Sequence, residues 1–110
     1  MKTTLPLSGR GKQINYEYVK NGFDVKWGKS PFHIPNSLIN DIMKNFLIDK
    51  NEWCPLGADE MNPMPKGLGS FINSKHIGLN PRHACAIAAI MYKERMIDFQ
   101  NGKPIFLRKL

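Results

Sequence analysis

Few side chains in this 110-residue chain carry chemistry that could serve a reaction. The candidates are His33, His76 and His83 as acid or base, Cys54 and Cys85 as nucleophiles, and the adjacent carboxylates Asp59 and Glu60. A metal site needs ligands a helical turn apart or in a CxxC unit, and no pair here has that spacing. Cys54 with a distant histidine is conceivable as nucleophile and base, but no local motif marks it. The amides of Gly67-Leu68-Gly69 could cradle a phosphate. A tight turn into a short helix accounts for the same glycines, and the rest of a phosphate-loop fingerprint is missing. Function must be argued from a converging site, and these groups do not converge. The expectation is a non-catalytic protein with no catalytic residue, metal, cofactor or small-molecule substrate.

Charge is the stronger signal. Lys and Arg outnumber Asp and Glu by 16 to 9, a net charge of +7. Residues 1–40 and 75–110 are both basic, whereas 41–74 is net acidic. Two basic ends folded onto one face would suit a polyanion, although the same charge also keeps a small protein soluble. The cations available for phosphate are Arg10, Lys12, Lys26, Lys29, Arg82, Lys93, Lys103, Arg108 and Lys109. Hydrophobic content of 42% is that of an ordinary globular chain. No apolar run approaches bilayer length, and the first residues lack a signal peptide's apolar stretch. No membrane partner and a cytoplasmic product are therefore expected, with Cys54 and Cys85 as reduced thiols.

These residues must be positioned by a single α+β domain, 1–110. Residues 1–12, with Gly9-Arg10-Gly11-Lys12, show no periodicity and read as a flexible basic arm. Residues 13–36 read as a β-hairpin and connector. Apolar and polar residues alternate on both sides of Asn21-Gly22, a favoured two-residue turn. That turn pairs Lys20 with Phe23, Tyr18 with Val25, Tyr16 with Trp27 and Glu17 with Lys26. Gly28, Pro31 and Pro35 then break the pattern. Asn36 or Ser37 can cap a helix whose stripe is Leu38, Ile39, Ile42, Met43, Phe46 and Leu47. Residues 49–67 read as a Pro- and Gly-rich loop, and Leu68–Ser74 as a short helix. Asn80 caps the next helix, with Pro81 at its first position. A second hairpin turns at Asn101-Gly102, pairing Phe99 with Pro104 and Ile97 with Phe106, with Pro104 on an edge strand.

From residue 37 onward this order resembles the winged helix-turn-helix fold. Helices 37–48, 68–75 and 81–96 would form its three-helix body and 97–109 its C-terminal β-hairpin wing. The resemblance is one of topology and turn chemistry over 37–109, within a body that spans 37–110. It implies a DNA-binding module, possessing a third helix whose N-terminal residues reach base edges. Asn80, Arg82 and His83 would then lie nearest the bases, Lys103 at the wing tip with Arg108 and Lys109 on phosphate. A second, local resemblance rests on Trp27-Gly28, Ser30, Ile34-Pro35 and Leu38. These are similar to the WGNS…IP…L signature of AbrB/MazE-type antitoxin domains, DNA-binding dimers with swapped hairpins. Lys29 stands in place of the signature's Asn, and Pro31 interrupts its strand. Trp27 packing beneath the first hairpin explains the same residues.

On the third helix, Ile87, Ile90, Met91 and Ile97 read as core. Arg82, Ala86, Ala89 and Lys93 form another stripe, cationic at its ends and methyl-lined between. Such a stripe admits close approach by DNA, with Arg82 on guanine, or by a partner helix. Two functions follow: a DNA-binding module, or a homodimeric or adaptor domain using Ala86, Ala89 and the wing as interface.

Overall fold

The computed structural model describes all 110 residues. Strand β1 (Lys2–Thr4) pairs antiparallel with β2 (Ile14–Val19), which pairs with β3 (Gly22–Trp27), and β3 with β4 (Ser30–Pro35). The alternation expected of β2 and β3 puts Ile14, Tyr16, Phe23 and Val25 in the core and leaves Glu17, Asp24 and Lys26 exposed. Faces are as expected, but the register is not. Tyr16 lies opposite Val25 and Tyr18 opposite Phe23, so the turn is Lys20-Asn21 and Gly22 is the first residue of β3. Glu17 therefore faces Asp24, and Lys26 faces Asn15. Alternation fixes only parity, and a shift by two keeps every side chain on its face. The supposed connector is a strand too. Pro31 and Pro35 are tolerated because β4 is an edge, where one row of amides has no strand to bond.

The basic arm is likewise built into the sheet. β1 is too short for periodicity to announce it, yet the Lys2 ammonium meets Glu94 at 2.8 Å, and the Tyr16 hydroxyl donates to the same carboxylate at 2.7 Å. These two bonds hold the Glu94 carboxyl below its ordinary pKa.

Helix α1 (Asn36–Asp41) continues into a π-helical turn, Ile42–Phe46. Leu38, Ile39, Ile42 and Leu47 are buried, and Met43 and Phe46 pack at the core's margin. Neither candidate cap acts as one. The Asn36 amide donates to the Asn21 carbonyl at 2.8 Å, which ties the helix start to the first turn.

The central loop holds a two-residue strand, β5 (Cys54–Pro55). Helix α2 (Leu68–Asn73) follows it, then α3 (His83–Lys93) and strands β6 (Ile97–Gln100) and β7 (Phe106–Lys109). β7 lies between β5 and β6 in a second antiparallel sheet. The segment expected to be a wing thus belongs to a three-stranded sheet and is not a free hairpin. Its loop is longer than a two-residue turn, so Ile97 pairs Lys109 and Phe99 pairs Leu107. This odd shift changes the face presented by β7 and buries Leu107. Pro104 sits in the loop, and β6 rather than its neighbour is an edge.

α3 is the core of the molecule. Ala84 and every residue from Ala86 to Met91 are buried, so the middle of the helix has no free face. Ile87, Ile90 and Met91 each contribute about 1.5–3 kcal/mol by leaving water. Ala86 and Ala89 do mark close approach, but what approaches is the rest of this chain: α2, β6 and β1 pack on α3. They are not an interface available to a partner. A helix buried all round also cannot lie along a major groove.

Candidate functional site

Only the ends of α3 reach solvent, and its N-terminal end forms one wall of the most polar cleft in the molecule. The sequence Asn80-Pro81-Arg82-His83 builds that end. Asn80 Oδ1 accepts the Arg82 amide at 2.9 Å, and His83 Nδ1 accepts the Asn80 amide at 3.0 Å. This reciprocal pair satisfies two of the helix's unbonded donors, with histidine in the place that Glu or Gln takes in a capping box. The carbonyls of Asn80, Pro81 and Arg82 each accept an amide three residues on, so α3 begins with a tight turn. Asn80 thus caps the turn that leads into α3, but the helix itself starts at His83, so Pro81 lies in that turn and not at the first helical position as expected.

The opposite wall comes from the first sheet. Gly28 and Lys29 form the turn that joins Trp27 to its partner Ser30. Gly28 adopts φ +60, and a Cβ there would stand 2.5 Å from Cδ of Lys12. The missing side chain lets the Lys12 stem cross the turn. Arg82 reaches over from α3 and lies on the Trp27 ring, 5.3 Å from its centroid, a cation–π arrangement. Phe32 packs edge-on against His83 at 4.6 Å and supports the ring from beneath. Glu60, on the central loop, approaches Asn80 Nδ2 at 3.5 Å.

Between these walls is an open cleft of about 240 Å³. Lys12 and Arg82 bring two cations to it, Glu60 one carboxylate, and Ser30 and Asn80 neutral hydrogen-bonding groups. Arg82 has no carboxylate partner, so its guanidinium N–H groups remain available to a ligand. Burial lowers the pKa of His83, which keeps its ring neutral near pH 7. With Nδ1 accepting, the neutral ring carries its proton on Nε2.

The structure gathers Asn80, Arg82, His83 and Lys12 at this cleft and leaves the other expected cations elsewhere. Arg10 is exposed in the turn after β1. Lys93 stands at the far end of α3, about 16 Å of helix away, beside Arg95 and Asp98. Lys103 faces Gly57 and Asn62 of the central loop. Arg108 stacks on Trp53 at 4.3 Å and pairs with Asp98 at 3.5 Å, and Lys109 stands opposite Ile97 in the second sheet. Sequence reasoning missed Trp27, Ser30 and Glu60 as site residues. Trp27-Gly28 was visible as a motif, but nothing local to it announces Arg82.

Of the groups considered for catalysis, His83 and Glu60 lie at this cleft, and Cys54, Cys85, Asp59 and His33 are engaged elsewhere. Burial raises the pKa of both cysteines, and Cys54 Sγ points to the Phe46 carbonyl at 3.8 Å. Asp59 accepts the amides of Met61 and Asn62, and His33 pairs with Asp24 at 2.8 Å. The Gly69 amide donates to the Leu56 carbonyl and that of Gly67 to Met64, so neither is free for a phosphate. A Cβ on Gly69 would lie 2.3 Å from the Gly57 carbonyl oxygen, which explains the glycine by packing. No three His, Cys, Asp or Glu residues stand together as a metal site would require.

Comparison with protein-family models, with curated proteins and with solved structures finds no match to this chain.

Proposed function

We propose that this chain is a non-catalytic nucleic-acid-binding module with DNA as its partner. It grips backbone phosphate at the N-terminal end of α3. The observation that carries this reading is the convergence of Lys12 and Arg82, remote in sequence, on one open cleft with Ser30 and Asn80. The wider charge supports it. Only Lys2, Lys75 and Arg108, of 16 lysines and arginines, have a carboxylate within ion-pair distance. The uncompensated remainder surrounds the protein with a positive potential that attracts a polyanion. The winged-helix reading is kept for the order α1, α2, α3 and wing. Its docking is changed: α3 meets the nucleic acid end-on through Asn80 and Arg82, because its length is buried.

Titrating labelled DNA, both single-stranded and duplex, at several salt concentrations tests the reading. Affinity should fall with salt at a log–log slope of about −0.7 to −0.9 per phosphate contacted. Lys12→Ala with Arg82→Ala should make that slope shallower by about 1.5, whereas Lys103→Ala should leave it unchanged. No binding to either form at low salt would refute the proposal.

A further inference from the structure

Resting on the nucleic-acid reading, we propose that the cleft takes a single-stranded segment. One unpaired base lies against the Trp27–Arg82 stack, and its neighbouring phosphate is held by Lys12 and the guanidinium edge of Arg82.

The elements long enough to enter a duplex groove are unsuited to it. α3 offers only an end. The β2–β3 ribbon carries Glu17 and Asp24 directly opposite each other on its solvent face, two carboxylates where phosphate would pass. On the β6–β7 ribbon, Asp98 and Arg108 are already paired.

The cleft itself has the composition that unpaired bases use. An indole ring and a guanidinium plane are the two surfaces on which splayed bases stack, and both are present in contact. In a duplex those base faces are hidden by their neighbours, so a stacking surface has nothing to bind. The Ser30 hydroxyl and the proton on His83 Nε2 supply donors at the rim, suited to a base edge or a phosphate oxygen. Size agrees. A cleft of about 240 Å³ lies just below the roughly 300–1,000 Å³ of drug-sized pockets, a size that suits a group as small as one base. Trp27 is held for this by Arg82 above it and by its place at the end of β3, opposite Ile14 on one side and Ser30 on the other.

The test uses the full chain with Trp53→Phe, so that Trp27 is the sole indole, and a mixed-sequence DNA oligonucleotide offered as a single strand and as its duplex. Single strand should bind at least about ten-fold tighter and quench Trp27 emission at saturation. Trp27→Ala should lose about 5- to 150-fold in single-strand affinity, the range found for one base–aromatic stack. If Trp27→Ala does not fold, the quenching in the Trp53→Phe protein decides alone. Salt-sensitive binding with equal affinity for the duplex, or with Trp27 emission unmoved, overturns the single-strand inference and leaves phosphate binding standing. Absence of binding to both forms overturns the two readings together.

Discussion

His83 is the residue on which the local order of the cleft turns. Its ring stabilises the first turn of α3 by accepting the Asn80 amide, and it can do so only with Nδ1 unprotonated. Burial depresses its pKa in the folded state, whereas the unfolded chain titrates near the ordinary 6.5. Below that value the unfolded chain takes up the proton first, so stability is complete above about pH 6.5 and declines as pH falls toward the lowered folded pKa. Thermal melts between pH 7.5 and 5 should show this decline. His83→Gln, which keeps an acceptor but cannot titrate, should flatten the slope; an unchanged slope would remove His83 as its source. Glu94 acts in a separate, more acid window. Its depressed pKa makes a contribution present above the ordinary carboxylate value and lost as pH falls through the folded one. At this scale the Asn80 turn before α3 was readable because it is local, although the helix starts two residues later than Pro81 suggested. The Arg82–Trp27 contact was not, because its halves belong to different elements.

At the scale of elements, the clearest lesson is Gly22. As half of an Asn-Gly pair it reads as a turn residue, yet it is a strand residue that must be glycine for another reason. A Cβ there would lie 2.0 Å from the Ile34 carbonyl oxygen of the neighbouring strand, and its φ of +149 strains any other side chain. Gly22→Ala should therefore cost about 2–4 kcal/mol, seen as a lowered urea midpoint with unchanged m-value. Gly9→Ala, with φ +77 but open space around it, should cost only about 1–2 kcal/mol. Equal losses would show that close packing at Gly22 is not what matters. The same distinction explains the hairpins. Alternation identified the core faces of β2 and β3 but not which even shift would be chosen, and the approach of β4 to Gly22 suits the observed one. The second hairpin lost even its parity, because the loop 101–105 separates its strands in place of a two-residue turn.

For the whole molecule, the deciding fact is that α3 is wrapped on every side. The radius of gyration, 12.6 Å, is close to the roughly 13 Å expected of one domain this size, so the wrapping elements form one body. Ala86→Glu distinguishes a buried helix from an interface. On an interface it would give a folded, dissociated chain. In this fold it places an unpaired charge in the core at a cost of about 3–5 kcal/mol, a large share of a small domain's stability. Circular dichroism should report lost or weakened cooperative unfolding, and a fully stable folded chain would contradict the burial of α3. The positive field belongs to this scale too, since most cations are exposed without carboxylate partners.

What the amino-acid sequence determined by itself is whatever depends on neighbours along the chain. It specified the α+β class, the alternating strands, the apolar stripe of α1 and the capped start of α3. It also specified a basic balance that no folding can alter. What only the tertiary structure decided depends on contacts between remote segments. These include strands β1 and β4 on either side of the first hairpin, the pairing of β5 with the C-terminal hairpin, and the burial of Ala86 and Ala89. The apolar run of α3 was compatible with either a core or a groove, because small side chains permit any backbone to come near. Its own chain came first, and only the ends of α3 are left at the surface.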